Sequence, residues 1–489
     1  MSNLSELLPT GGGQNSVDFV ASGTLSSGQT VILKADGTVE AVSGVSASQA
    51  VGTSQTTTAN PRIMSSAYDS AQEKTVIVYG DSNNSSYGTA VVVTTTGSSV
   101  SLGTPQVFES FNIGGGGRPT ATVYDENSGK IVIFYIQVNS GIGVYNAKAI
   151  VGTVSGTSIS FGSSVNVSTS NNIHYLSAAY DSINNKVVVC YRDENNGNRG
   201  ESKVGTVSGT SISFGGVSVF SSTTTRNMSM AFDANTGKIV IGYRASNNYG
   251  TSIVGTVGGT SIGFGSLVVF NSGTTSTIAT SYDSTNNKVV IAYQKADGTS
   301  YGAAKVGTVS GTSISFGTEA VFSTTALYSL TGNSFDINSG KVIIAYGTTT
   351  AYTEKAICGL VSGTGISFTD AVIDLPNSGG NGVTVAYDAS ALISVVGMQA
   401  TSTNLGVATI QPAYSSTNST SFIGITAEAI SDTATGPVNV YGGINAVQAG
   451  LTIASDYYVQ TDGSLSTTVS TVKAGQAISA TTINLMDLT

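Results

Sequence analysis

Three features of this sequence predict an all-β fold: a seven-bladed β-propeller inserted between N- and C-terminal strands that form a small β domain. Apolar and polar residues alternate strictly over short runs, and Gly- and Asn-rich turns separate those runs. One unit then recurs along most of the chain. Its most visible part is VGTVSGTSISFG, written at 151–162, 204–215 and 306–317, and as VGTVGGTSIGFG at 254–265.

The complete unit reads clearly at 228–270, MSMAFDANTGKIVIGYRASNNYGTSIVGTVGGTSIGFGSLVVF. MSMAF alternates, a D-x-x-x-G-K turn follows, and KIVIGY alternates again. A polar loop leads to SIVGTV, a Gly-centred turn and SIGFGSLVVF. Period-two alternation with short turns of this kind specifies four antiparallel strands in a meander. An aromatic residue followed by aspartate anchors each copy, at Asp69, Asp125, Asp181, Asp233, Asp283, Asp336 and Asp388. The intervals run from 50 residues (Asp233 to Asp283) to 56 (Asp69 to Asp125). The third-strand signature fades at the ends, to VVTTTGSSVSLG at 92–103, GLVSGTGISF at 359–368 and VATIQPAYSS from 407. Four-stranded units of this length fit a propeller of ~4–8 blades better than a solenoid, whose coils usually repeat every ~20–30 residues. The expected propeller spans 57–415.

Flanking it, FVASGTLSSGQTVILKADGTVEAVS (19–43) holds two strands around Asp36-Gly37. AGLTIASDYYVQTDGSLSTTVS (449–470) is laid out in the same way around Asp462-Gly463. Residues 1–56 are thus read as an N-terminal arm and strands, and 416–489 as a C-terminal β module. The two join in one base domain, the alternative being two separate caps. MSNLSELLPT is a candidate docking arm.

Composition narrows the function. The 489 residues are 40% hydrophobic, enough for a substantial core, but only 10% charged, against roughly 25% in an average domain. Lys plus Arg number 19 and Asp plus Glu 28, for a net charge of −9, so no basic stripe for nucleic acid or an anionic membrane is expected. No stretch of 18 apolar residues suggests membrane insertion. The N-terminus has neither the basic nor the apolar region of a secretory signal. Cys190 and Cys358 sit in hydrophobic runs and read as buried small hydrophobes rather than a disulfide. His174 is the single histidine, which argues against a histidine metal centre or nucleophile–histidine catalysis. The recurring aspartates superficially match calcium loops. Each turn offers one carboxylate, however, and an Asx turn explains it without an ion. No P-loop, GxSxG or HExxH motif is present, and Trp, the commonest sugar-stacking platform, is absent. The expectation is a non-enzymatic protein with no metal and no cofactor.

In a propeller the D-x-x-x-G-K and SGT turns share one face, and here they barely vary. The second-to-third loops and the inter-blade connections share the other face, and these do vary. A divergent face on a rigid scaffold is where binding is expected. On it, Tyr87, Tyr145, Tyr249, Tyr301 and Tyr352 recur just before the third strand. Tyrosines in such a ring stack on sugar faces, or else each packs on its own loop. The third copy concentrates charge in Arg192, Asp193, Glu194, Arg199 and Glu201, either as a ligand site or as a self-paired loop. Arg118, in a long inter-blade connection behind GGGG, is a further candidate.

The segments FIGITAEAISDTATGPVNVYGG, GLTIASDYYVQTDGSLSTT and VKAGQAIS resemble the terminal module of virion structural proteins of tailed phages, especially those of marine bacteria. The repeat KVVIAY…VGTVSGTSISFG is similar to repeats in the same class. The resemblance implies a tail fibre, head fibre or capsid decoration protein assembled in the host cytoplasm and exposed on the virion. It also implies other virion proteins, further copies of the chain and host surface glycan as partners, and it carries over no catalytic residue. The alternative is a bacterial cell-surface adhesin or glycan-binding propeller.

Overall fold

The computed structural model describes residues 15–114, 119–139, 141–298, 300–349, 352–376, 378–400 and 404–486. The MSNLSELLPT arm and Arg118 lie outside them. Strands dominate, and the chain divides into two compact units, one of residues 48–413 and one drawn from 1–47 and 414–489.

The larger unit is a β-propeller. Each repeat forms an antiparallel meander; repeat 3, for example, runs through Ile173–Asp181, Lys186–Asp193, Arg199–Ser208 and Ser211–Phe214. Its hairpin opens with Asp181, whose Oδ1 accepts the backbone N–H groups of Ile183 and Asn184. The aspartates at 69, 125, 181, 233, 283, 336 and 388 are all buried. Those described in hydrogen-bonding detail close their turns in the same local way, as an Asx turn requires.

The sheets differ from the four-strand expectation at the outer edge. A fifth short strand, such as Ser218–Ser221 in repeat 3, pairs with the third strand beyond the fourth. The break between the two falls at the glycine of SFG. A Cβ on Gly162 would collide with the carbonyl oxygen of Thr210 in the next repeat's turn. The same holds for Gly215 against Thr260, Gly265 against Thr312 and Gly317 against Thr364. The central turn and the final glycine of the twelve-residue phrase therefore each touch a neighbouring copy of that phrase. A phenylalanine of the fifth strand then reaches into the following repeat. Phe220 lies 5.4 Å from Tyr243 and 5.8 Å from Phe264, and Phe322 lies 5.3 Å from Tyr346 and 5.7 Å from Phe368. Repeat 2 carries Val167 at this position; there Phe134 of its second strand sits 6.2 Å from Phe214 and restores the ring volume.

The first strand of each repeat packs on the first strand of the next, and that of repeat 7 packs on Pro61–Asp69 of repeat 1. Ring closure uses the same devices as every other joint. Ser390 N–H of repeat 7 donates to the Tyr68 hydroxyl, as Asn127 N–H does to Tyr180 and Asn235 N–H to Tyr282. The outer strands of the last sheet come from the other end of the unit. Ala50–Val51 and Gln55–Thr57 pair with Asn404–Gln411. Gly52 meets the Ser98 carbonyl of repeat 1 just as Gly162 meets Thr210. Sequence alone offered no sign of these two strands.

The smaller unit interleaves both termini. One sheet runs Ser16–Val20, Thr435–Val440, Phe422–Thr426, Thr30–Leu33, Val39–Ala41. A second sheet is built from C-terminal strands between Ile444 and Leu485. Ile32, Val42 and Ile425 share a core with Tyr457, Val459 and Ile483, so the two sheets bury one another.

Cys190 and Cys358 are free and buried, and burial pushes both thiols up to about 12.

The adjacent glycines 215 and 216 test the interlock. A Cβ at Gly215 falls on the next repeat's backbone, whereas Gly216 has open space around it and an ordinary φ. Gly215→Ala is expected to destabilise by ~2–4 kcal/mol, and Gly216→Ala to stay within ~0.5 kcal/mol of wild type, in denaturant or thermal unfolding. Equal midpoints for the two variants would remove the glycine interlock from the account.

Candidate functional site

On the divergent face, the fifth strand of one repeat runs beside the end of the second strand and the start of the third strand of the next. Between repeats 2 and 3 this arrangement leaves a cleft of about 350 Å³ lined by Ser168, Thr169, Ser170, Asp193, Asn195, Asn196, Arg199, Glu201 and Val217. Between repeats 5 and 6 the corresponding positions leave one of about 280 Å³, with Ser323, Thr324, Thr325, Thr348, Lys355 and Val372 on the wall and Phe322 and Tyr346 on the floor. The repeats therefore build the cleft and the individual residues set its chemistry. Asp193 becomes Thr348, and Glu201 becomes Lys355.

The cleft between repeats 2 and 3 carries two buried carboxylates. Asp193, almost fully buried, accepts from the Ser170 hydroxyl (2.7 Å), the Asn195 N–H (3.0 Å) and the Asn196 side-chain amide (2.6 Å). This ties the loop 194–198 to the fifth strand of repeat 2, and the Asn195 amide completes the tie by donating to Ser170 and Asn171. Glu201, 2% exposed, holds Arg199 by Nε and by a terminal nitrogen, both at 2.6 Å. Arg199 itself remains over a third exposed. Below them lies Tyr191, fully buried, its hydroxyl pushed up by burial and by the adjoining Glu201 charge.

That tyrosine is a repeated feature. Tyr79, Tyr135, Tyr191, Tyr243, Tyr293 and Tyr346 occupy the same second-strand position, and all are fully buried. What meets the hydroxyl varies among the repeats. Tyr135 donates to Glu109 at 2.9 Å and Tyr293 to Glu319 at 2.5 Å. In repeat 5, Lys295 at 3.2 Å and Tyr301 at 3.4 Å also reach Glu319.

The tyrosines before the third strand form no uniform ring. Tyr249 and Tyr352 are exposed, at 37% and 58%, while Tyr87, Tyr145 and Tyr301 are half-buried. Tyr145 packs edge-on against His174 at 5.4 Å, Lys295 stands over Tyr301 at 5.3 Å, and Tyr352 meets Tyr328, itself 48% exposed, at 5.6 Å. Local packing thus accounts for Tyr145 and Tyr301. The charged cluster of repeat 3 is self-paired and splits in two. Asp193, Arg199 and Glu201 enter the cleft, whereas Arg192 is buried, pairs with Glu194 and lies 4.7 Å over the Tyr175 ring. His174 sits 3.5 Å from Glu194. Sequence reasoning missed the contribution of Ser168, Thr169 and Ser170, which only the neighbouring repeat supplies. Among the described residues no cluster of His, Cys, Asp and Glu is suited to hold a metal ion.

Burial pushes Tyr243 and Tyr346 up to about 12, and the other second-strand tyrosines are also raised, so the folded state disfavours the phenolate. This contribution to stability is complete below the unfolded value of ~10 and is lost as pH rises toward the folded values. Absorbance titration at alkaline pH should therefore show these six tyrosines ionising only together with unfolding. Smooth titration of all tyrosines around pH 10 in a folded chain would contradict their burial.

No family model and no curated protein sequence matches the chain. Solved structures do. The BP39L lectin of Burkholderia pseudomallei is 12% identical and aligns over 72% of this chain and 96% of its own, with a TM-score of 0.53. A protein of unknown function from Dyadobacter fermentans (11%; 76% and 99%; TM-score 0.43) and AofleA from Arthrobotrys oligospora (10%; 70% and 94%; TM-score 0.42) also align. At such identity the likeness to BP39L speaks for the fold. The expected virion role finds no support among these likenesses.

Proposed function

We propose that this chain is a non-enzymatic glycan-binding propeller, the reading first held as the alternative to a virion component. The observation that carries it is the cleft between repeats 2 and 3. Hydroxyls, side-chain amides, one guanidinium and two buried carboxylates converge there on a space of about 350 Å³. Such a lining offers little to an apolar ligand and much to a polyol. Carboxylates accept paired sugar hydroxyls, and Arg199 and the asparagine amides donate to ring and hydroxyl oxygens. Two carboxylates against one guanidinium leave the cleft at a formal −1, which favours neutral glycans over acidic ones at this position.

Two further facts support the reading. The cleft recurs at equivalent positions between repeats 5 and 6, which is what a multivalent binder of repeating polymers needs, since weak sites sum to avidity. The propeller that aligns over most of this one, BP39L, is named a lectin.

Screening the folded chain against an immobilised glycan array tests the proposal. Neutral glycans should be retained. Asp193→Asn and Glu201→Gln should each weaken binding by ~10–100-fold, the cost of one or two lost buried hydrogen bonds. The thermal midpoint of each variant controls for folding. A folded wild-type chain that retains no glycan, or variants that bind unchanged, would overturn the assignment.

A further inference from the structure

Repeats 3 and 4 place a pair of basic side chains at the same two positions, the start of the first strand and the end of the second. In repeat 3, His174 stands directly opposite Arg192; in repeat 4, Arg226 stands directly opposite Arg244. The local backbone is shared as well. The residue after the first-strand member is left-handed in both, Tyr175 at φ 45° and Asn227 at φ 49°, and a register shift follows. Ile63 at φ 44° makes the same bend in repeat 1, where Arg62 faces Gly80, so the bend is a feature of the fold on which the pairs are set.

The two repeats differ in whether a carboxylate meets the pair. In repeat 3 a single carboxylate does so: Glu194 pairs with Arg192 and lies 3.5 Å from His174. The corresponding residue of repeat 4 is Ser246. Among the described residues neither Arg226 nor Arg244 has a carboxylate within 4 Å. Arg244 Nε donates instead to the neutral Asn248 Oδ1 at 3.0 Å. Like charges directly opposite on adjacent strands repel. A shortage of acids is no reason for the arrangement, because the chain has 28 Asp and Glu to 19 Lys and Arg.

We infer that Arg226 and Arg244 form a binding site for a carboxylate from outside the chain, which takes the place that Glu194 fills in repeat 3. Guanidinium groups suit it, since each presents a planar fork matching the two carboxylate oxygens. The carrier is an acidic sugar residue of the hexuronate type. The sugar identity rests on the glycan-binding reading; the carboxylate site rests on the arginines alone.

The test is calorimetric titration of the full chain with glucuronate, with glucose and acetate as controls, at low and high salt. Glucuronate should bind saturably and more tightly than acetate, glucose should not bind at this site, and salt should weaken the interaction. Arg226→Ala and Arg244→Ala should each reduce affinity at least tenfold. Ser246→Glu rebuilds the internal carboxylate of repeat 3 and should abolish glucuronate binding while preserving the thermal midpoint, whereas Ser246→Gln should bind like wild type. No glucuronate binding, or unchanged binding by Ser246→Glu, would overturn the site, and acetate binding equal to glucuronate would overturn the sugar. Neutral-glycan binding that survives in Ser246→Glu, or fails while glucuronate still binds, separates this site from the cleft between repeats 2 and 3.

Discussion

The propeller depends on a space too small for a methyl group. Where the outer edge turns in repeats 1 to 5, and at Gly52 in the closing joint, a backbone carbonyl of the neighbouring repeat's hairpin occupies the position a Cβ would need, so that residue must be glycine; repeat 6 carries Thr369 there. The aromatic interlock, the tyrosine hydroxyls and the stacked first strands all assume the spacing that this close approach sets. Because both the glycine and the hairpin lie in the same twelve residues, each copy of the phrase must fit another copy. A change in one must be matched in its neighbour, and that is a physical reason for a chain to repeat itself so closely.

The same constraint decides what was legible beforehand. Period-two alternation and the Asx turns are local, so strands and hairpins could be read from Tyr68-Asp69 through Tyr387-Asp388. The outer strands of the last sheet could not. Ala50–Val51 and Gln55–Thr57 are two and three residues long, lie in VGTSQTTT, and gain their partners only from a segment hundreds of residues away. Of the candidate site, Asp193, Arg199 and Glu201 were legible as unusual charge in an uncharged protein. Their separation from Arg192 was not, because successive residues of a strand face opposite ways and burial then assigns each to different company. Ser168 and Ser170 belong to another repeat, and no local pattern could bring them to Asp193.

Between the two faces the repeats obey different rules. The hairpin face is held by contacts between copies, and its sequence scarcely changes. The loop face is also bridged between copies, as where Ser170 donates to Asp193, but by side chains that differ from joint to joint, so residues there diverge while the backbone beneath them stays in register. Comparing equivalent positions then becomes informative in itself. Thr348 and Lys355 stand where Asp193 and Glu201 stand, and Ser246 stands where Glu194 does. One ring can thereby carry clefts of different chemistry, with the fold unchanged beneath each.

Closing the ring with strands from the front of the unit also has a temporal side. The chain is made from its N-terminus, so residues 50–57 emerge before any repeat exists to receive them. Their partner strand, Asn404–Gln411, is the last of the propeller to be made. The intermediate repeats can stack on their neighbours in order of synthesis, each contact being local along the sequence. The final joint closes the longest loop in the unit, and such non-local pairing is slow. Until it forms, Asn404–Gln411 lacks its outer partners and repeats 1 and 7 each leave one side unpacked, so the unfinished ring has two ends that match each other and, equally, the ends of any other unfinished copy.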